Sequence, residues 1–234
     1  MPTLGRGAMA EGVGTALLVA VVVGSGIFAQ QLSPSDHGLQ LLENSTATAF
    51  GLVALILAFG PVSGAHFNPV VTLADRLLGG IETGRAAVYV AAQVAGGCAG
   101  AIVANLMFDL PAVDWSATSR SGSHLWLGEV VATFGLLSVI FGVVRSGRAG
   151  AAPFAVGAYI GAAYWFTSST SFANPAVTLA RTLTDTFTGI RPMSVPPFLL
   201  AQLTGALPAV ALARFLHPAL PDAADDVILP YHQD

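Results

Sequence analysis

Two copies of one phrase, Asn68-Pro69-Val70-Val71-Thr72-Leu73-Ala74 and Asn174-Pro175-Ala176-Val177-Thr178-Leu179-Ala180, stand 106 residues apart and agree at six of seven positions. Each closes an apolar stretch and opens with an amide and a proline, a pair suited to starting a helix. Asparagine is a strong N-cap, and proline fits the first helical turn, where its missing N–H leaves nothing unpaired. Any fold for this chain must place two such helix starts within otherwise hydrophobic surroundings.

Those surroundings are a bilayer. Of 234 residues, 54% are hydrophobic and 9% charged, with no lysine, and this composition excludes most soluble classes. Six apolar segments, at Ala8–Leu32, Thr46–Val62, Arg85–Phe108, Leu125–Val144, Pro153–Thr170 and Val195–Leu216, each approach the ~20 residues that cross a ~30 Å hydrocarbon core. The first is too long for the apolar region of a signal peptide and carries Glu11. With an even number of spans and both termini cytoplasmic, Arg6, Arg76, Arg85, Arg145, Arg148 and Arg214 fall inside and Arg120, Arg181 and Arg191 outside, the bias the positive-inside rule asks for. The net charge of −4 owes much to the tail, residues 217–234, which carries Asp222, Asp225, Asp226 and Asp234 and reads as a solvated, mobile cytoplasmic end with no nucleic-acid partner. Cys98 is alone, so neither a disulfide framework nor a multi-cysteine metal site is available.

The duplication extends beyond the Asn-Pro phrase. Glu11-Gly12-Val13-Gly14-Thr15 opens the first span and Glu129-Val130-Val131-Ala132-Thr133 the fourth; Ala92-Gln93-Val94-Ala95-Gly96 lies in the third and Ala201-Gln202-Leu203-Thr204-Gly205 in the sixth. The markers recur in one order in two halves, 8–108 and 125–216, of a single domain covering 1–234. Three spans per half is an odd number, so the second half enters the membrane from the opposite face and the repeat is inverted. From Asn68 to Leu78 is about ten helical residues, ~15 Å, and Asn174–Thr184 is as long. Two half-helices meeting N-terminus to N-terminus at the midplane together cross the bilayer, and the irregular backbone this needs is tolerated at that depth only beside protein or a water-filled cavity. The expected fold class is therefore an all-α membrane protein of six transmembrane helices and two re-entrant half-helices in an inverted 3+3 repeat.

On Ser63-Gly64-Ala65-His66-Phe67-Asn68-Pro69, Asn174-Pro175-Ala176, the two Glu-x-x-x-Thr openings and the two span glutamines, the chain resembles the aquaporin (major intrinsic protein) family, in particular its bacterial aquaglyceroporin-like members, over nearly its whole length. The resemblance implies a passive channel for water and small neutral solutes, with no catalytic residue, metal or cofactor, usually assembled as a homotetramer. It implies that Asn68 and Asn174 turn amide N–H groups to a lumen while their carbonyl oxygens are held by backbone donors. Carbonyls of Pro61–Phe67 and Ser168–Ala173 would supply acceptors leading to them. Glu11 and Glu129 become buried anchors for the re-entrant loops, with proton coupling the alternative, and Gln93 and Gln202 support the same loops. His66 is a vestibule residue, either a gate or a polar wall.

The resemblance also shows a departure. Where most family members carry an arginine after the second Asn-Pro-Ala, this chain has Val177, and Val70 stands where alanine is usual in the first copy. A gapless count from the motif asparagines puts the other filter positions at Thr48, Ala162 and Ser171, with Phe50 replacing Thr48 if the second span slides by two residues. Thr48, Ala162, Ser171 and Val177 would form a wide, uncharged filter that passes glycerol-like polyols and undissociated metalloid acids of the arsenite and borate type. Arg181, one turn beyond Val177, either restores some charge to the ring or anchors a loop. A water-selective pore and an ion-coupled transporter of inverted-repeat type are the alternatives, the latter needing Glu11 or Glu129 as its exchangeable charge. A bacterial inner-membrane location fits the short loops.

Overall fold

The structure, a computed structural model, describes residues 3–217, so the expected tail lies, beyond His217, outside the described residues. Those residues fold into eight α-helices: α1 (Leu4–Leu32), α2 (His37–Ser63), α3 (Pro69–Leu78), α4 (Thr83–Met107), α5 (Ser123–Arg145), α6 (Ala152–Phe166), α7 (Pro175–Ala180) and α8 (Val195–Leu216). Helix α1 packs along α2 and α4, α5 packs along α6 and α8, and α2 against α6 joins the two halves. The short helices α3 and α7 touch end to end inside this bundle, each following an irregular loop.

Close approach between long helices is set by small residues at repeat-related positions. A Cβ on Gly96 of α4 would collide with the carbonyl of Gly12 on α1, and one on Gly205 of α8 would collide with the carbonyl of Val130 on α5. Both glycines lie three residues after a span glutamine. Lipid gives no hydrophobic drive for helix association, so contacts of this kind, backbone against backbone, hold the helices within each half together.

Three boundaries differ from expectation. Helix α2 starts at His37 rather than near Thr46, because Asp36 caps it, its carboxylate accepting from Leu39 N at 2.9 Å. It also runs through Pro61 to Ser63, ending at Gly64 with φ 84°, so the Pro61–Ser63 carbonyls belong to a helix and not to an open ladder. Helix α6 has only 15 residues and ends at Phe166, not Thr170, since Thr170 and Ser171 adopt φ of 61° and 51° in the re-entrant loop. Among the described residues, α1, α2, α4, α5 and the Pro192–Leu216 segment are long and apolar enough to span a membrane; α6 is not.

The half-helices are unequal. Helix α3 keeps its full ten residues because Gly79, at φ 92°, supplies a left-handed C-cap. The repeat-related position after α7 is Asp185, which offers no such cap, and α7 stops after six residues, tightening into a 3-10 turn at Arg181–Leu183.

Candidate functional site

The centre of the molecule is a pair of reciprocal caps. Asn68 Oδ1 accepts from Val70 N at 3.0 Å, and Asn174 Oδ1 accepts from Ala176 N at 3.0 Å and Val177 N at 3.2 Å. Each side-chain amide then donates across to the other half: Asn68 Nδ2 to Ala173 O at 2.8 Å, and Asn174 Nδ2 to Phe67 O at 2.8 Å. An amide nitrogen carries two N–H groups. The cross-staple takes one of each pair, and both asparagines line a cavity inside the bundle. Pro69 and Pro175 occupy the first helical position behind their asparagines, and Val70 and Ala176 are buried behind them in turn.

The loops leading to these caps are held in a conformation that side chains rarely adopt. Ala65 and Phe67 have φ of 49°, and the repeat-related Ser171 and Ala173 have φ of 51° and 47°. Left-handed non-glycine residues cost roughly 1 kcal/mol or more each, so something must over-determine them. Two fully buried carboxylates do. Glu11 accepts from His66 N (2.9 Å), Phe67 N (2.7 Å), Ser63 Oγ (2.6 Å) and Gln93 Nε2 (2.7 Å). Glu129 accepts from Phe172 N (2.8 Å), Ala173 N (2.9 Å) and Gln202 Nε2 (2.6 Å). The same glutamines reach the half-helices, Gln93 donating to Thr72 Oγ1 and Gln202 to Thr178 Oγ1, each at 2.9 Å.

This anchoring orients the opposite side of the loops. In a trans peptide the N–H and the preceding C=O point in opposite directions. With the N–H groups of His66, Phe67, Phe172 and Ala173 turned onto carboxylates, the carbonyls of Ala65, His66, Ser171 and Phe172 point away from them, and those four residues line the cavity. Buried glutamate, left-handed loop and acceptor row are one device, built twice.

The residues that line the cavity differ from the gapless count at one position. Thr48, Ser171 and Val177 line the cavity, whereas Phe50 is 71% exposed on the outer surface of α2. Ala162 does not line it: the residue is exposed on the outside of α6, and Tyr164 takes the inward place. Helix geometry gives the reason, since Val156, Ile160 and Tyr164 follow one another at intervals of four on one face while Ala162 sits about 200° round from Ile160. Tyr164 Oη lies 3.2 Å from Thr48 Oγ1, and Ser171 Oγ is buried with no protein partner. Thr48, Tyr164, Ser171 and Val177 therefore bring three hydroxyls and one isopropyl group to the cavity wall.

Each end of the cavity carries a further polar group. His66 lines one end, with Nδ1 3.0 Å from Thr72 Oγ1 and Nε2 3.5 Å from Asp75 Oδ2. Arg181 lines the other, only 3% exposed, with its guanidinium carbon 3.5 Å from the Phe172 ring centre and its Nε donating to Thr188 O. Tyr164, Phe172 and Asp75 have no place in the sequence-level site. The four-residue spacing of α6 would have found Tyr164, but contacts brought together by tertiary packing leave no local signal.

Two half-helices meeting at their capped N-termini inside an apolar bundle, beside a cavity lined by carbonyls, amides and hydroxyls, define a transmembrane channel. The comparisons with known proteins agree. The profile of the Major intrinsic protein family matches residues 2–171. The chain is 53% identical over 219 residues to "Aquaglyceroporin AqpS" of Rhizobium meliloti (strain 1021), an alignment covering 93% of each chain, and 32% identical over 166 residues to "Probable aquaporin TIP-type alpha" of Phaseolus vulgaris, covering 67% of this chain and 64% of that one. Its fold matches the X-ray structure of the aquaglyceroporin from Plasmodium falciparum with a TM-score of 0.72 at 20% identity, covering 95% of this chain and 99% of that one. The chain belongs to the major intrinsic protein family: it is an integral membrane protein with the aquaporin fold, a passive channel for water and small solutes and not an enzyme.

Proposed function

We propose that this pore conducts glycerol-like polyols and undissociated metalloid acids, arsenite and borate among them, as well as water, with Thr48, Tyr164, Ser171 and Val177 as its selectivity ring. The observation that carries the reading is the character of that ring. A polyol or a trihydroxy acid needs hydrogen-bond partners along one edge and tolerates an apolar wall along the other. The hydroxyls of Thr48, Tyr164 and Ser171 supply the first and Val177 the second. An arginine at position 177 would fill the ring and charge it; valine leaves it uncharged.

Passage is stepwise hydrogen-bond exchange. A solute hydroxyl donates to the loop carbonyls and accepts from the remaining N–H of Asn68 and Asn174 at the centre. An oxygen that accepts from both amides cannot pass a proton down a continuous donor–acceptor chain, and the N-terminal end of α3 adds roughly half a positive charge against cations. Glu11, Glu129, Gln93 and Gln202 act as loop anchors, and His66 as a polar wall of the cytoplasmic vestibule. Both termini face the cytoplasm of a bacterial inner membrane, and four copies assemble, each with its own pore.

The aromatic ring of Tyr164 also favours a second reading, a water-selective pore, because it adds bulk where alanine was expected. Stopped-flow light scattering on proteoliposomes decides between them, with water, glycerol and undissociated arsenous acid compared against empty vesicles. Entry of the two larger solutes well above the empty-vesicle rate supports the polyol reading; fast water with background glycerol and arsenous acid establishes the water-selective one.

A further inference from the structure

The absence of a cation at position 177 leaves open what keeps metal ions out of an otherwise uncharged ring. The central barrier is weaker than the symmetry of the motif suggests, because α7 is only six residues long and aligns few peptide dipoles behind Asn174. One turn farther along the same segment, Arg181 lines the cavity. It is neither a surface anchor nor a snorkelling charge, being 3% exposed and stacked on Phe172, which itself lines the cavity two residues before Asn174. A second guanidinium, that of Arg120, has its carbon 5.1 Å from the centre of the same ring.

Among the described residues the hydrogen bonds of both cations go to backbone carbonyls and none to a carboxylate, although the charge of Glu129 attracts both guanidiniums. Arg181 Nε donates to Thr188 O, while Arg120 donates through Nε to Gly189 O at 2.8 Å and through Nη2 to Phe187 O at 3.1 Å. Glu129, the buried acid of this half, directs its oxygens to Phe172 N, Ala173 N and Gln202. Carbonyl dipoles fix a guanidinium without cancelling its charge. The repeat-related position in the other half, Asp75, pairs with His66 and is not part of the cavity wall. The positive charge at 181 is therefore concentrated at one mouth.

From this arrangement we infer that Arg181 is a specificity-determining residue of the pore: it forms the barrier to cations, set one helical turn outside the ring that sorts neutral solutes by size. Size selection and charge selection, which a single arginine at 177 would combine, are divided between two levels. The outer level repels metal ions before they reach Thr48, Tyr164, Ser171 and Val177, and the inner level stays open to uncharged polyhydroxy compounds. The inference rests on the polyol reading only for what passes the inner ring.

The test uses the full-length protein in liposomes loaded with a sodium-sensitive dye, with glycerol flux measured on the same preparations. Wild type should pass glycerol and hold sodium at the empty-vesicle rate. Arg181→Gln keeps a donor for Thr188 O but removes the charge, and it should raise sodium entry by about tenfold or more, the change expected when a full charge leaves a poorly screened mouth. Arg181→Lys should remain tight. Val177→Asp leaves Arg181 and its contacts in place but puts a carboxylate one turn away, and it should also leak sodium; if the barrier lay at the asparagines, neutralising the mouth would leave sodium excluded. Glycerol flux above background certifies each variant as folded. A sodium-tight Arg181→Gln or Val177→Asp protein that still conducts a neutral solute overturns the inference, as does a wild type that conducts sodium freely. Where Arg181→Gln yields no conducting protein, the Val177→Asp result stands as the decision. Failure of the polyol reading is seen separately, as wild-type glycerol flux at background with water flux intact, and water then serves as the neutral solute.

Discussion

Replacing Glu129 by glutamine tests whether the buried carboxylates are loop anchors or proton carriers. In the native protein Glu129 accepts three hydrogen bonds, from Phe172 N, Ala173 N and Gln202 Nε2. Glutamine has the same shape but offers one acceptor atom and one amino group, so at least one N–H that pointed at a carboxylate oxygen now faces another donor. Losing one charge-assisted bond and weakening two to neutral ones amounts to about 3–4 kcal/mol. For a chain of this size each kcal/mol lowers the melting temperature by about 2–4 °C, so Glu129→Gln should melt roughly 10 °C below wild type. Glu11→Gln, with four bonds at stake, should lose at least as much. The double variant should lose less than the sum, because Asn68 and Asn174 staple the two loops to one another. Thermal unfolding in detergent, followed by tryptophan fluorescence, gives the shifts. Proteoliposome flux between pH 5.5 and 8 gives the second readout, which anchoring predicts to be flat for wild type. A Glu129→Gln protein with native thermal stability but with solute uptake that no longer responds to a proton gradient would falsify the anchoring account and make the carboxylate a coupling group.

Four further outcomes follow from the site and the packing. Val177→Arg should lose glycerol and arsenous acid flux severalfold while retaining water flux, measured by stopped-flow light scattering; equal loss or retention of all three means Val177 is not at the narrowest level. Tyr164→Ala removes the phenol that bridges to Thr48 and should admit polyols longer than glycerol severalfold faster; unchanged uptake of a four- or five-carbon polyol refutes its place in the ring. Gly96→Ala and Gly205→Ala each drive a methyl group into a backbone carbonyl of the neighbouring helix and should cost about 3 kcal/mol or more, read as lost folded yield on gel filtration. Asn174→Asp exchanges the amide that donates to Phe67 O for an acceptor facing an acceptor, and should slow flux of every solute together.

How much of this was legible in the sequence depends on how local each cause is. The helix starts were legible because Asn-Pro is a cap and a first turn in two adjacent residues, and the structure uses them so at Asn68 and Asn174. The inverted repeat was legible because its markers, Glu11 and Glu129, Gln93 and Gln202, are polar residues in apolar spans, where each needs a partner. The end of α6 was not: Thr167–Ala173 has five hydroxyl residues in seven but no charge, proline or glycine to mark a stop, and only the donors gathered on Glu129 reveal a loop there. The ring failed at Ala162 for a related reason. Counting residues back from Asn174 assumes that the path from helix to loop has the family's length, while the true constraint is the α6 face that already holds Val156 and Ile160. The unequal half-helices were hidden as well, since two stretches of equal length are set apart in their ends by whether position 79 or 185 offers a glycine.

The pairs that break the repeat say where selectivity resides. Glutamate, glutamine, threonine and asparagine recur in both halves and share the glutamine-to-threonine bonds and the asparagine cross-staple, and these residues build the frame: two loops, two caps and a central staple. At two residues before the asparagine the halves diverge, His66 against Phe172, and at seven residues after it they diverge again, Asp75 against Arg181. In each half these two divergent residues touch one another, as an imidazole–carboxylate pair at one mouth and a guanidinium stacked on a ring at the other. A solute hydroxyl meets equivalent donors and acceptors from either direction through the centre, whereas an ion meets opposite chemistry at the two ends. Replacing the first pair by the second, with His66→Phe and Asp75→Arg, should therefore leave the central hydrogen bonds in place and change which ions are turned away at the His66 mouth.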